Sequence, residues 1–103
     1  MSRPFSYNDE NFTVIGSILF VHVNIGGDAY QYGQTFCTIP QAIFTRMTTY
    51  GQRASVSYKD FATSSINISI TCDEYGNMIT RSDIKASTVS SRFICSFYYL
   101  KDI

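Results

Sequence analysis

The stretch INISITCDEYGNMIT, residues 66–80, decides the fold. Ile66, Ile68, Ile70 and Cys72 fall at every second position, with Asn67, Ser69 and Thr71 between them. This is the period-two pattern of a half-buried antiparallel strand. Asp73-Glu74-Tyr75-Gly76-Asn77 follows with turn chemistry, Gly76 and Asn77 being residues that tolerate a positive φ. Met78 to Arg81 then returns as the partner strand, so the segment is predicted to be a β-hairpin.

Toward the C-terminus, the polar Ser82–Ser91 stretch reads as a loop and Arg92–Lys101 as a final strand. Phe93, Cys95, Phe97 and Tyr99 occupy one face of that strand, and Ile94, Tyr98 and Leu100 the other. A strand apolar on both sides belongs either in the middle of a sandwich or under another subunit. Toward the N-terminus, Arg53–Tyr58 alternates as a strand. Gln41–Tyr50 alone shows helical spacing, with Ile43, Met47 and Tyr50 at i, i+4 and i+7, but Thr45, Thr48 and Thr49 limit it to at most one short helical turn. Ala29–Ile39 is extended, interrupted at Gly33 and ended by Pro40, and Gly26-Gly27-Asp28 is a turn. In Phe12–Ile25, Leu19, Val21, Val23 and Ile25 alternate with Phe20, His22 and Asn24, and Gly16 marks a bend between two strands. Residues 1–10 are polar and aperiodic, an N-terminal arm ordered only by contact with something else. Residues 11–103 form a single domain, expected to be an all-β, jelly-roll-like antiparallel β-sandwich of about seven or eight short strands.

With 103 residues there is room for one core and not two. Charged residues make up only 16% of the chain, below the roughly 25% of an average soluble domain, and eight Lys and Arg balance eight Asp and Glu. Without a net field to gather a polyanion or an anionic membrane, nucleic acid is not an expected partner. No apolar run approaches the roughly 18 residues of a membrane span, and no export signal is visible, so membrane insertion is not expected. Cys37, Cys72 and Cys95 are separated, odd in number and lack a C-x-x-C pair, which suits buried small hydrophobes in a reducing cytosol. A single disulfide such as Cys72 with Cys95 is the alternative.

Reaction chemistry is sparse. His22 is the sole histidine and has no ligand-spaced Cys or Glu near it, so neither a metal nor a cofactor is expected. No G-x-S-x-G elbow surrounds a serine, and Gly26-Gly27 lacks the Lys-Ser/Thr of a phosphate loop. The paired acids, Asp9-Glu10 and Asp73-Glu74, sit where solvated charge is usual. A binding rather than catalytic protein is therefore expected. Eight Tyr and eight Phe exceed what so small a core buries, leaving several Tyr exposed. Tyr30, Tyr32 and Gln34, then Tyr50, Gln52, Arg53 and Tyr58, then Tyr75 and Asn77 are the candidate receptor-binding residues. Their rings supply rigid apolar area, and their amides and hydroxyls directional hydrogen bonds.

The layout from Phe12 to Leu100 resembles the C-terminal head domains of bacteriophage tail fibres and related phage receptor-binding proteins. The resemblance lies in the opening FTVIGSILFVHVNI (12–25), TFCTIPQAIF running into a proline-marked segment (35–44), the 66–80 hairpin and the terminal RFICSFYYLK (92–101). It implies a virion-located β-sandwich that assembles as a homotrimer and binds a host-surface receptor, commonly a saccharide, without chemistry. Such heads usually follow a long shaft, whereas this chain begins with a short arm. A different class remains open: a small intracellular inhibitor that blocks a host protein through a strand edge or aromatic loop. A polysaccharide-cleaving enzyme would need acids such as Asp60, Asp73 and Glu74 brought together in a cleft.

Overall fold

The computed structural model describes residues 6–48, 51–58, 61–88 and 91–101, with the backbone alone described for 51–55, 57, 58 and 61–65. The described residues are mostly strand with one short helix, an all-β, sandwich-like fold. In order, the elements are β1 (Tyr7–Asn8), β2 (Phe12–Ile15), β3 (Ile18–Asn24), β4 (Thr35–Thr38), α1 (Gln41–Phe44), β5 (Gly51–Tyr58), β6 (Phe61–Cys72), β7 (Asn77–Thr80) and β8 (Arg92–Tyr99). They hydrogen-bond in the order β1-β2-β3-β8-β5-β6-β7-β4, every neighbouring pair antiparallel.

β2 and β3 are joined by the two-residue turn Gly16-Ser17, with Ile15 opposite Ile18. Gly16 takes φ 62°, and no described non-glycine residue has a positive φ, which matches a type II′ hairpin turn. In β3 the expected alternation holds: Leu19, Val21 and Val23 are buried while Phe20, His22 and Asn24 face outward. β1 falls within the stretch read as an arm. Tyr7 pairs with Val14 and Asn8 with Thr13, and Asp9 Oδ1 accepts from the N–H groups of Asn11 (2.8 Å) and Phe12 (2.7 Å), so residues 7–12 form a closed turn. This part of the arm is ordered by its own chain, because Asp9 supplies a local acceptor and Tyr7 an apolar ring packed against the core.

β8 lies between β3 and β5, so the two-sided apolar strand is central in the ladder. It pairs with β3 along seven positions but with β5 only from Arg92 to Cys95. Beyond Cys95 the two layers separate. The freed edge of β8 is taken over by the segment after α1: Thr48 N–H donates to Tyr99 O (3.2 Å) and Lys101 N–H to Arg46 O (2.6 Å), while Met47 bridges to Leu100. Backbone groups left by β5 are thus satisfied by the turn-like stretch that carries Ile43 and Met47 into the core. Tyr50, the third residue of that spacing, lies outside the described residues.

The layers meet over one apolar cluster drawn from both halves of the ladder: Val14, Leu19, Val21, Ile94 and Tyr98 on one side, Ile68, Ile70 and Met78 on the other. Tyr98 reaches across to the neighbourhood of Cys72 of β6 and Cys37 of β4. The predicted hairpin is present as β6–β7, with Ile68 and Ile70 buried. Ile66, on the same face, is exposed, because β6 runs on past the core with β5.

Candidate functional site

Two surfaces carry side chains presented for contact. The first lies along β7 and the edge strand β4. Gln31 to Gln34 form a turn closed by Gln34 N–H donating to Gln31 O (2.9 Å), and Gly33 at φ 87° gives it type II geometry. Thr80, fully buried, holds this turn from below. Its N–H donates to Gln34 O (3.0 Å) and its hydroxyl to Gln31 O (3.1 Å), while its carbonyl accepts from Gly33 N–H (2.7 Å). Tyr32 therefore stands at the turn's corner. Its N–H is held by Asp83 Oδ1 (2.8 Å), its ring is 64% exposed, and the Arg81 guanidinium lies 5.5 Å from the ring centre. Arg81 is itself oriented by donating from Nε to Thr71 Oγ1 (2.9 Å).

The other sequence-expected residues divide around this cluster. Tyr30 is half-buried, packed against the core and paired through its backbone with Ile84, so it supports the turn more than it presents a ring. Gln34 is exposed, and its Oε1 accepts from Gln31 N–H (3.1 Å). Tyr75 is 72% exposed at the tip of the β6–β7 turn. Asn77 is committed to the fold: its amide donates to Asp73 Oδ2 (2.9 Å) and accepts from Thr38 Oγ1 (2.9 Å), tying β4 to the hairpin. Tyr75 and Asn77 are at one end of β7 and the Tyr32 cluster is at the other, about 10 Å away along the strand. Gln52 and Arg53 are strand residues of β5, which starts at Gly51, and Tyr58 ends that strand; their side chains lie outside the described residues, as does all of Tyr50.

The acids and thiols are arranged for structure. Asp73 Oδ1 accepts from the N–H groups of Tyr75 (2.8 Å) and Asn77 (2.9 Å), and the Asn77 amide with these N–H groups holds its carboxyl below the usual range. Asp60, the third acid considered for cleavage chemistry, lies outside the described residues. Burial, with Cys72 nearby, pushes the Cys37 thiol up to about 12. Burial and Asp73 push Cys72 up to about 11. Both thiols are protonated at neutral pH and are poor nucleophiles. Cys72 and Cys95 do not form a disulfide, because one belongs to the inward face of β6 and the other to the outward face of β8. Among the described residues, no three His, Cys, Asp or Glu side chains gather as a metal site. No described helix is long and apolar enough to cross a membrane.

The second surface is the outward face of β3 and β8. Phe20 lies opposite Phe97, Ile18 opposite Tyr99 and His22 opposite Cys95. The rings form an ordered array: His22 stacks on Phe93 (4.2 Å between centroids, 9° between planes) and Phe97 meets Tyr99 edge-on (5.8 Å, 89°). Phe20 (43%), Phe97 (45%), Tyr99 (56%) and Ile15 (65%) remain exposed. The two-sided β8 pattern signals this face, and Phe20, at a position of β3 where polar residues would be expected, is a second signal. Arg92 was also missed, although it falls on the same side of β8 as Ile94 and Tyr98.

No protein-family model matches the chain, and no curated protein or solved structure matches it significantly.

Proposed function

We propose that the chain is a non-catalytic adhesion module of the phage receptor-binding type, working as a homotrimer and gripping a host-surface saccharide at the β4–β7 edge. The observation that carries this reading is the Tyr32 ring: largely exposed, yet fixed by a turn anchored on buried Thr80 and flanked by Arg81 and Gln34. A ring so held offers a flat apolar face for the C–H side of a sugar, and the adjacent guanidinium and amide offer hydrogen bonds to its hydroxyls. Little ordering entropy remains to be lost on binding. Weak single sites of this kind gain strength when several are presented together. Glycan-array binding of the wild type and of Tyr32→Ala tests it. Saccharide binding that weakens at least tenfold in the variant supports the reading, and no saccharide bound, or binding indifferent to Tyr32, overturns it.

β4 favours a second reading. It is a four-residue edge strand beside Tyr32, a place where a host protein could be gripped by strand addition. That reading requires a monomer or dimer that captures one host protein tightly and binds no saccharide.

A further inference from the structure

We infer that the outward face of β3 and β8 is where copies of this chain meet, like face against like face. β3 and β8 pair without a register shift over seven positions, so the face is a regular pleated surface about 20 Å long. Its centre holds Phe20 and Phe97 side by side, with Tyr99 and Ile15 at one end and the His22–Phe93 stack at the other. The exposed parts of the four large apolar residues amount to roughly 400–500 Å², the size of the largest patch on a typical monomer, which is often functional. That is more than half of the roughly 800 Å² that one partner contributes to a standard interface.

Charge selects the occupant. No Asp, Glu, Lys or Arg lies at the outward positions of β3 or β8, and the whole chain balances eight cations against eight anions. A charged partner would find nothing to pair with here and would lose hydration on docking. A second copy brings the same uncharged aromatic surface and no net repulsion. Two sheets stacked face to face sit about 10 Å apart, a spacing that lets the Phe20 and Phe97 rings of both copies interdigitate. The face lies on the layer opposite the Tyr32 cluster, so copies joined this way keep their β4–β7 edges free.

The inference goes beyond the proposed threefold assembly, because like face on like face joins copies in twofold pairs, and it is tested separately from receptor binding. Sedimentation velocity at about 1–100 µM compares the wild type, Phe20→Ser/Phe97→Ser and Tyr32→Ala. The wild type and Tyr32→Ala are expected to sediment as the same oligomer, and the double variant, folded by circular dichroism, as a monomer or with at least tenfold weaker association. If the double variant does not fold, Tyr99→Arg gives the same test at a more exposed position. A monomeric wild type, or folded face variants that assemble as tightly as the wild type, would overturn the inference. A wild type that assembles but binds no saccharide would count against the receptor reading alone.

Discussion

Arg92 is buried to 1% exposure, and its guanidinium is met by backbone carbonyls: Gly26 O (2.6 Å), Asp28 O (2.6 Å) and Lys85 O (2.9 Å). One side chain thus fastens the Gly26–Asp28 turn and the 82–91 loop to the start of β8. Arg92→Met fills a similar volume but strands three carbonyls, and is expected to lower stability by roughly 3 kcal/mol in denaturant unfolding. A loss under about 1 kcal/mol would mean the clamp is dispensable. Tyr98 behaves oppositely. Burial keeps its hydroxyl neutral far above the ordinary tyrosine range, and although Ser96 is near, neither buried hydroxyl makes a hydrogen bond. Tyr98→Phe is therefore expected to leave stability unchanged or raise it by up to about 1 kcal/mol, and a loss of that size would reveal a partner for the hydroxyl. Neither role was legible in the sequence. An arginine opening a strand reads as solvated, and alternation tells which face a residue takes but not whether its polar atoms find partners there.

At the scale of elements, the β6–β7 hairpin is the most self-sufficient piece, and it was legible because its determinants are local. Gly76 takes φ 86°, and a Cβ there would come within 3.3 Å of Ile39 O. Gly76→Ala should cost about 1–3 kcal/mol, read as a lowered Tm. Asp73 gives the turn a pH dependence. Its folded pKa lies below the unfolded value of about 3.9. Its contribution is then fully present above that value and is lost as pH falls through the folded pKa. Asp73→Asn should melt below the wild type at neutral pH, with the gap closing under about pH 4; a gap constant down to pH 2 would contradict this. The single helical turn was legible from the spacing of Ile43 and Met47. The neighbours of β8 were not, since β3 and β5 are far away in sequence and nothing local records which strands will flank it. Part of the arm was misread because one pairing with β2 and one Asp9 turn order residues that show no periodicity.

At the scale of the whole molecule, the exposed aromatic rings among the described residues fall in two places. Phe20, Phe97 and Tyr99 form the uncharged face, while Tyr32 and Tyr75 stand at the ends of β7. Composition foretold exposed tyrosines, and the two-sided β8 is central in the ladder, one of the two places its pattern allowed. Which of the named residues stay free depended on hydrogen bonds made at a distance, as when Thr38 engages Asn77. In the proposed reading, assembly and binding are linked through this division of labour, because a joined face would multiply the number of Tyr32 edges presented together. The most direct measurement is retention on a surface coated with the saccharide an array identifies, comparing wild type with Phe20→Ser/Phe97→Ser at equal subunit concentration. The predicted result is at least 100-fold tighter retention of the assembled wild type, with unchanged affinity per site in solution. Equal retention of the two proteins, or none by either, would contradict it.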